Sequence, residues 1–99
     1  MLYMILGRDQ QNSGDARMNA RPAHVARLKA LQEQGRLIVA GPLPRIDAPS
    51  LEGGVSGSLI VAEFEDLASA RSWADADPYI EAGVYAEVEI KPFIKALPA

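Results

Sequence analysis

The sequence predicts an α+β fold: a ferredoxin-like βαββαβ sandwich in which one antiparallel sheet carries two helices on one face. Two observations lead to this fold. Four short apolar runs are bounded by glycine, proline or polar residues, and helical segments follow the first and the third run. The 99 residues are too few for two separate cores, so we expect a single domain over 1–99.

The first predicted strand and helix lie in the N-terminal third of the chain. The run LYMIL at 2–6 predicts strand one, and the polar segment 8–20, which has no periodicity, predicts a loop. Pro22 suits the first turn of a helix and Gly35 suits its C-terminal cap. Helix one is therefore expected at about 22–34.

The remaining elements follow from apolar runs and turn residues. In chain order they are strand two at 36–41, a loop at 43–57, strand three at 58–65, helix two at 67–76 and strand four at 84–93. The loop contains three glycines and two prolines, and long ordered loops in small domains are often lids or binding loops. Asp66 can cap helix two, and Pro78 disfavours helical geometry at Asp77.

The predicted strands are apolar on both faces of the sheet. In strand one, Leu2, Met4 and Leu6 point to one side, and Tyr3 and Ile5 point to the other. Strands two and three alternate in the same way. Two helices cover only one face, and a monomer rarely leaves such an apolar surface in water. We therefore expect a homodimer with the two sheets packed face to face.

Composition excludes several classes of function. The formal net charge of −3 does not favour binding to a phosphate backbone, so no nucleic-acid partner is expected. The N-terminal apolar run is too short for a signal peptide or a membrane span, so the prediction is a cytoplasmic protein without membrane association. The absence of cysteine removes thiolate catalysis and suits a reducing compartment. With a single histidine, no metal site and no cofactor are expected.

His24, in the segment RPAHVARL, is the only histidine in the chain. With Leu28 and Leu31 it forms one helical stripe at i, i+4 and i+7, so its side chain is expected to face the sheet. The predicted helix start one turn earlier carries partial positive charge, which favours a neutral imidazole. A carboxylate partner would favour the charged imidazolium instead, and it would fix the tautomer of the neutral ring. Such a histidine suits the role of a general base near neutral pH.

The C-terminal end of helix two offers a carboxylate partner for His24. Asp77 lies seven residues after Ala70 on the buried stripe, whereas Asp75 falls toward solvent. Both residues also have an ordinary explanation. A lone, partly buried histidine is often a satisfied polar group, and Asp77 followed by Pro78 is typical of a helix N-cap.

Other polar residues are weaker candidates for a binding site. Ser58 begins the predicted strand three and is a candidate substrate-binding residue, although serine at a strand start commonly has no such role. The arginines at or near loop ends are candidates for holding an anionic substrate, although scattered arginines usually lie in solvent. They are Arg8, Arg17, Arg21 and Arg45, of which Arg8 and Arg21 are the preferred two.

Four co-linear segments suggest a family: MLYMILGRD, RPAHVARLKALQEQGRLIVAGPLP, GSLIVAEFEDLASARSWADADPY and AGVYAEVEIKPF. Together they resemble the YciI-like proteins nearly from end to end, with 43–56 the least distinctive part. The resemblance implies a dimeric α/β barrel built from two ferredoxin-like protomers, with a His–Asp pair in a pocket. The motif histidine matches His24, and the motif aspartate matches Asp77, with Asp75 as the alternative.

The resemblance also implies a class of chemistry. Superfamily relatives include muconolactone isomerases and a chlorinated-hydroquinone dehydrochlorinase, which act on small ring compounds by proton abstraction or elimination. The leading hypothesis is a cofactor-independent lyase or isomerase for a small, ring-bearing or anionic molecule, with His24 as general base and Asp77 as its orienting partner. The alternative is a non-catalytic, metabolite-binding or regulatory module. Haem chemistry is disfavoured because His24 is assigned to the pair, and RNA binding because the strands lack the aromatic pair and basic residues.

Overall fold

The computed structural model describes residues 1–99 and contains one four-stranded antiparallel sheet with its helices on one face. The predicted βαββαβ order is confirmed, with a four-residue helix added before the last strand. The strand order across the sheet is β2-β3-β1-β4. The elements are β1 (Leu2–Asp9), α1 (Gly14–Glu33), β2 (Leu37–Pro44), β3 (Val55–Glu63), α2 (Leu67–Asp75), α3 (Pro78–Glu81) and β4 (Tyr85–Phe93).

The core lies between the helices and one face of the sheet. In the register of β1 with β3, Tyr3 pairs with Ala62 and Ile5 pairs with Ile60, and all four are buried. They pack with apolar residues of both long helices, namely Leu31, Ala70 and Ala74, and with Phe64. The alternation of strand side chains places Leu2, Met4 and Leu6 on the opposite face of the sheet, as predicted. No helix has both the length and the apolar character needed to cross a membrane.

The predicted start of helix one at 22 and the predicted loop at 8–20 are wrong, because α1 begins at Gly14 and Pro22 lies inside it. Proline removes one intrahelical hydrogen bond, here to the carbonyl of residue 18. Met18 and Pro22 both lie on the exposed side of α1, where water can satisfy that carbonyl. His24 therefore lies in the middle of a 20-residue helix, too far from its start for the N-terminal partial charge to act on it.

Three of the four strands also extend beyond a predicted end. β1 continues to Asp9, β2 continues to Pro44, and β3 starts at Val55, so the predicted loop at 43–57 shrinks to 45–54. Ser58 consequently lies inside β3 rather than at its start. The register of β3 places Ser58 beside Gly7 of β1 and Pro42 of β2.

Candidate active site

A cavity of about 840 Å³ lies between α1, the helix-facing side of β2 and β3, and the 45–54 loop. Its inner wall combines apolar side chains with a few polar groups, which is the usual composition of a small-molecule site. Representative wall residues are Leu28, Ile60, Leu51, His24, Ser58 and Tyr79. The 45–54 loop thus contributes to the wall of this cavity.

The structure brings His24 and Asp77 together at this cavity. Nδ1 of His24 lies 2.9 Å from both carboxylate oxygens of Asp77. His24 is 6% exposed and Asp77 is 3% exposed, so little water competes for this contact. His24 lines the cavity, and its Nε2 takes part in none of the protein's own hydrogen bonds. A carboxylate only accepts hydrogen bonds, so Nδ1 is the donor in this contact, and Nε2 is the ring nitrogen without a protein partner.

Asp77 also caps α3, so the same carboxylate both contacts His24 and serves as a helix N-cap. It has extended backbone geometry, with Pro78 at the first helical position, and its Oδ1 accepts a hydrogen bond of 2.9 Å from the backbone N–H of Tyr79. The cap restricts the carboxylate to an orientation that also meets the imidazole. Asp75, the alternative partner, is exposed and lies 3.8 Å from Arg71 on the same helix.

Tyr79 supports the imidazole from a second direction. Its ring stacks on His24 with 3.9 Å between centroids and 11° between planes. The Tyr79 and Tyr85 rings form a T-shaped pair with 5.4 Å between their centroids. The guanidinium carbon of Arg17 lies 4.7 Å from the centroid of the Tyr79 ring. Burial raises the pKa of Tyr79, although the charge of Arg17 acts to lower it. These contacts hold the His24 ring in one plane.

Arg17 forms a buried ion pair and contacts the Tyr79 ring, the same ring on which His24 stacks. Its Nε and Nη2 each donate a 2.8 Å hydrogen bond to Asp9, and Nη2 also donates to Oγ of Ser58 at 3.0 Å. The Asp9 side chain is only 2% exposed. Burial acts to lower the pKa of Arg17, but the hydrogen bond and the charge of Asp9 outweigh burial and hold that pKa above its ordinary value. The guanidinium is therefore a fixed cation in the cavity wall.

The other predicted binding residues lie in different places. Arg21 is exposed and lines the cavity. Ser58 is buried and lines the cavity from its inner side. Arg8 does not line the cavity. It lies on the opposite face of the sheet, 3.3 Å from both Glu87 and Glu89. Arg21 and Ser58 thus share a cavity with His24, and Arg8 does not.

Comparison with known proteins identifies the family of this chain. The family model of the YCII-related domain matches residues 1–94. The chain belongs to this family. It is 50% identical to the protein YciI of Escherichia coli over 96 residues, which cover 96% of this chain and 98% of that protein. It is equally similar to a protein of Haemophilus influenzae, at 50% identity over 97 residues.

Solved structures include a similar enzyme. The 5-chloro-2-hydroxyhydroquinone dehydrochlorinase TftG of Burkholderia phenoliruptrix, in complex with 2,5-dihydroxybenzoquinone, matches with a TM-score of 0.85 at 26% identity. The match covers 95% of this chain and 94% of TftG. A NIPSNAP domain protein of Burkholderia xenovorans shares the fold with a TM-score of 0.51 at 12% identity. The predicted membership of the YciI-like family and the fold class, ferredoxin-like of the dimeric α/β barrel type, are both confirmed.

Sequence reasoning missed Tyr79 at this YCII-related site, and it named Arg17 as a candidate anion-binding residue without placing it correctly. Tyr79 follows the capping pair Asp77 and Pro78, and an aromatic residue at that position carries no sequence pattern that predicts stacking on a distant histidine. Arg17 was assigned to a loop because helix one was started too late, so its place on the inner side of α1 beside Asp9 was not foreseen. Ser13 before the helix and Asp15 in its first turn were the available indications of the true start.

Proposed function

We propose that this protein is an enzyme that moves a proton on a small ring compound, as a lyase or isomerase, with His24 as the general base and Asp77 as its orienting partner. The observation that carries the proposal is the asymmetric environment of the imidazole. Nδ1 is held by the buried Asp77 carboxylate, whereas Nε2 has no protein partner and belongs to a cavity wall.

The chemistry follows from that asymmetry. Nε2 takes a proton from the substrate, and the resulting imidazolium is stabilised by the adjacent Asp77 carboxylate at 2.9 Å. In an elimination, the electron pair of the broken C–H bond forms the new double bond, and the leaving group departs with its own bonding pair. Acid–base assistance of this kind contributes about 10²–10⁴-fold in rate. The scheme needs only proton transfer and, in an elimination, departure of the leaving group, and it uses no cofactor.

A ring compound with negative charge suits the cavity. A volume of about 840 Å³ lies within the range of small-molecule pockets. Four cationic residues line the cavity against two acidic ones, and one acid, Asp9, is already paired with Arg17. The other cations are Arg21, Lys29 and Arg45. The related TftG acts on a chlorinated hydroxyhydroquinone and binds a dihydroxybenzoquinone, which are molecules of this class.

We also propose that two copies associate through the helix-free face of the sheet. On this face Leu6 pairs with Leu59 and Met4 pairs with Val61, which makes a continuous apolar surface across the two central strands. Edge-strand residues extend it, and among them Val39 is 50% exposed and Phe93 is 38% exposed. A face of this kind is normally buried in a partner. A second copy covers it with the same residues.

The function is tested by turnover of a defined substrate. Purified protein is incubated with 5-chloro-2-hydroxyhydroquinone and with its chlorine-free analogue, and chloride release and absorbance are followed. We expect chloride release that falls by about 10²–10⁴-fold in His24→Ala. Arg71→Ala, which changes an exposed residue of α2, is the control and retains the wild-type rate.

Two outcomes contradict the proposal. A His24→Ala variant that retains the wild-type rate would show that another group is the base. Tight binding of the hydroquinone with no product formed would instead favour the alternative, a metabolite-binding module.

A further inference from the structure

Ser58 is a polar group that reaches the cavity from the interior of the protein. It is buried in β3 on the helix-facing side of the sheet, and it lines the cavity. Its Oγ lies 3.0 Å from Nη2 of Arg17. A guanidinium has donors and no acceptor, so the direction of this hydrogen bond is fixed. Ser58 accepts from Arg17, and its own proton points elsewhere.

Tyr85 is the other polar side chain beside Ser58. Its hydroxyl is enclosed and lies close enough to the Ser58 hydroxyl for that group to act on its pKa, but it makes no hydrogen bond of good geometry. A phenol supplies a proton as readily as it accepts one, so Tyr85 does not require the proton of Ser58. The Ser58 proton is therefore free to turn toward the cavity that Ser58 lines, where a ligand can accept it.

Arg17 gives this donor a fixed position relative to His24. The guanidinium is held by two hydrogen bonds to the buried Asp9 and contacts the Tyr79 ring, on which the His24 imidazole stacks. A hydroxyl that accepts from a cation is a better donor, because hydrogen bonds in a chain polarise one another. The Ser58 donor and the His24 base are therefore two fixed groups in one cavity.

We infer that Ser58 donates a hydrogen bond to the substrate oxygen that becomes negatively charged when His24 removes a proton. This inference rests on the proposed function and narrows the substrate to rings with a carbonyl group next to the reacting carbon, which a hydroxylated ring supplies in its keto tautomer. Nε2 takes the proton from the carbon next to the carbonyl. The C–H electron pair forms the carbon–carbon double bond of an enolate, and the π pair of the carbonyl moves onto its oxygen. A positioned donor at that oxygen lowers the barrier.

The inference is tested by binding of an oxyanion probe. The probe is 2,5-dihydroxybenzoquinone, which is ionised near neutral pH, and its dimethyl ether is the uncharged comparison. Dissociation constants are measured by absorbance. We expect the wild type to prefer the ionised probe, and Ser58→Ala to weaken binding of that probe by about 10-fold or more, with little change for the ether. Ser56→Ala is the matched control, because Ser56 lies on the same strand and does not line the cavity.

The outcomes separate this inference from the proposed function. If wild type and Ser58→Ala bind the ionised probe equally, the role of Ser58 is overturned and the role of His24 stands. If the wild type does not bind the probe, the proposed substrate class and the inference both fail. Ser58→Thr keeps the hydroxyl and is expected to keep the preference for the ionised probe over the ether. If Ser58 were merely structural, retention of a hydroxyl would not be needed for this preference. If Ser58→Ala does not fold, Ser58→Cys, with a weak donor of similar shape, is expected to show the same loss.

Discussion

His24 and Asp77 are 53 residues apart in sequence, yet both carboxylate oxygens of Asp77 lie 2.9 Å from Nδ1 of His24. The same carboxylate caps α3 through the backbone N–H of Tyr79. One buried side chain thus fixes the start of a helix and the orientation of the imidazole. Its two roles are separable by mutation.

Replacement of Asp77 by asparagine is expected to preserve the fold and impair the chemistry. Asparagine is as good an N-cap as aspartate, but its amide can donate to Nδ1 and so favour the tautomer with the proton on Nε2. Such a histidine is not a base toward the cavity. We expect turnover to fall by about 10²–10⁴-fold, with the melting temperature nearly unchanged.

Asp77→Ala is the companion variant, because it removes both roles. Loss of the cap costs about 1 kcal/mol, and the Nδ1–H of His24 left without a partner costs about a further 1–3 kcal/mol. Urea unfolding of the two variants measures this difference. Equal stability of Asp77→Asn and Asp77→Ala would contradict the capping role.

The Arg17–Asp9 pair is expected to matter for stability because Asp9 is almost fully enclosed. Arg17→Met removes the cation 2.8 Å from Asp9 and leaves the buried Asp9 carboxylate without a counter-charge. This variant is expected to lower the free energy of unfolding by about 3–5 kcal/mol. The double variant Arg17→Met/Asp9→Leu removes both charges and is expected to be more stable than Arg17→Met alone. Urea unfolding of both proteins checks this order, and the reverse order would show that the buried charge is not the cause.

Stability is expected to fall at alkaline pH because of buried tyrosines. Burial raises the pKa of Tyr85, and the nearby Ser58 hydroxyl lowers that pKa by a smaller amount. Burial also raises the pKa of Tyr79. The folded protein then holds these protons above pH ~10, where the unfolded chain releases them. This contribution to stability is complete below pH ~10 and is lost as the pH rises further.

Unfolding free energies between pH 9 and pH 11, measured in the wild type and in Tyr85→Phe, test this origin. The variant is expected to show a shallower decline with pH. Because the Tyr85 hydroxyl makes no hydrogen bond of good geometry, its removal is expected to cost little at neutral pH. A decline as steep in Tyr85→Phe as in the wild type would assign the effect to other groups.

The proposed dimer predicts a simple change of mass. Leu59 lies on the helix-free face opposite Leu6, so Leu59→Glu is expected to convert a particle of twice the chain mass into a monomer. Ala26→Glu, on the exposed side of α1, is the control and is expected to leave the mass unchanged. Light scattering after size exclusion measures both. A wild-type protein that is monomeric at all concentrations would contradict the face-to-face association.

Much of the fold could be predicted because local pattern and tertiary structure agree. Alternating apolar residues such as Tyr3 and Ile5 predict both faces of β1, and the helical period predicts the buried side chain of His24. Asp77 is buried as predicted, but for another reason, because it lies beyond the end of α2 in extended backbone. The start of α1 could not be predicted from Pro22, because a proline on the exposed side of a helix looks in sequence like one at its first turn.

The rest of the site depends on contacts between residues far apart in the chain, and no periodic sequence pattern predicts them. Arg17 reaches both Asp9 and Ser58, which lies 41 residues away, and Tyr79 stacks on His24 across two elements. Arg8 is a candidate ligand-binding residue in sequence, but β1 is three residues longer than predicted and places Arg8 in the sheet with Glu87 and Glu89. Such pairings are decided by strand length and register.

The central claim is that Asp77 holds the proton on Nδ1 and leaves Nε2 of His24 free. Long-range ¹H–¹⁵N NMR of the neutral imidazole tests it most directly, because a chain with one histidine gives one assignable set of ring signals. We predict the tautomer protonated at Nδ1, with Nε2 shifting when a ring ligand enters the cavity. A ring protonated at Nε2 in the wild-type protein would contradict the account, because no lone pair would then face the substrate.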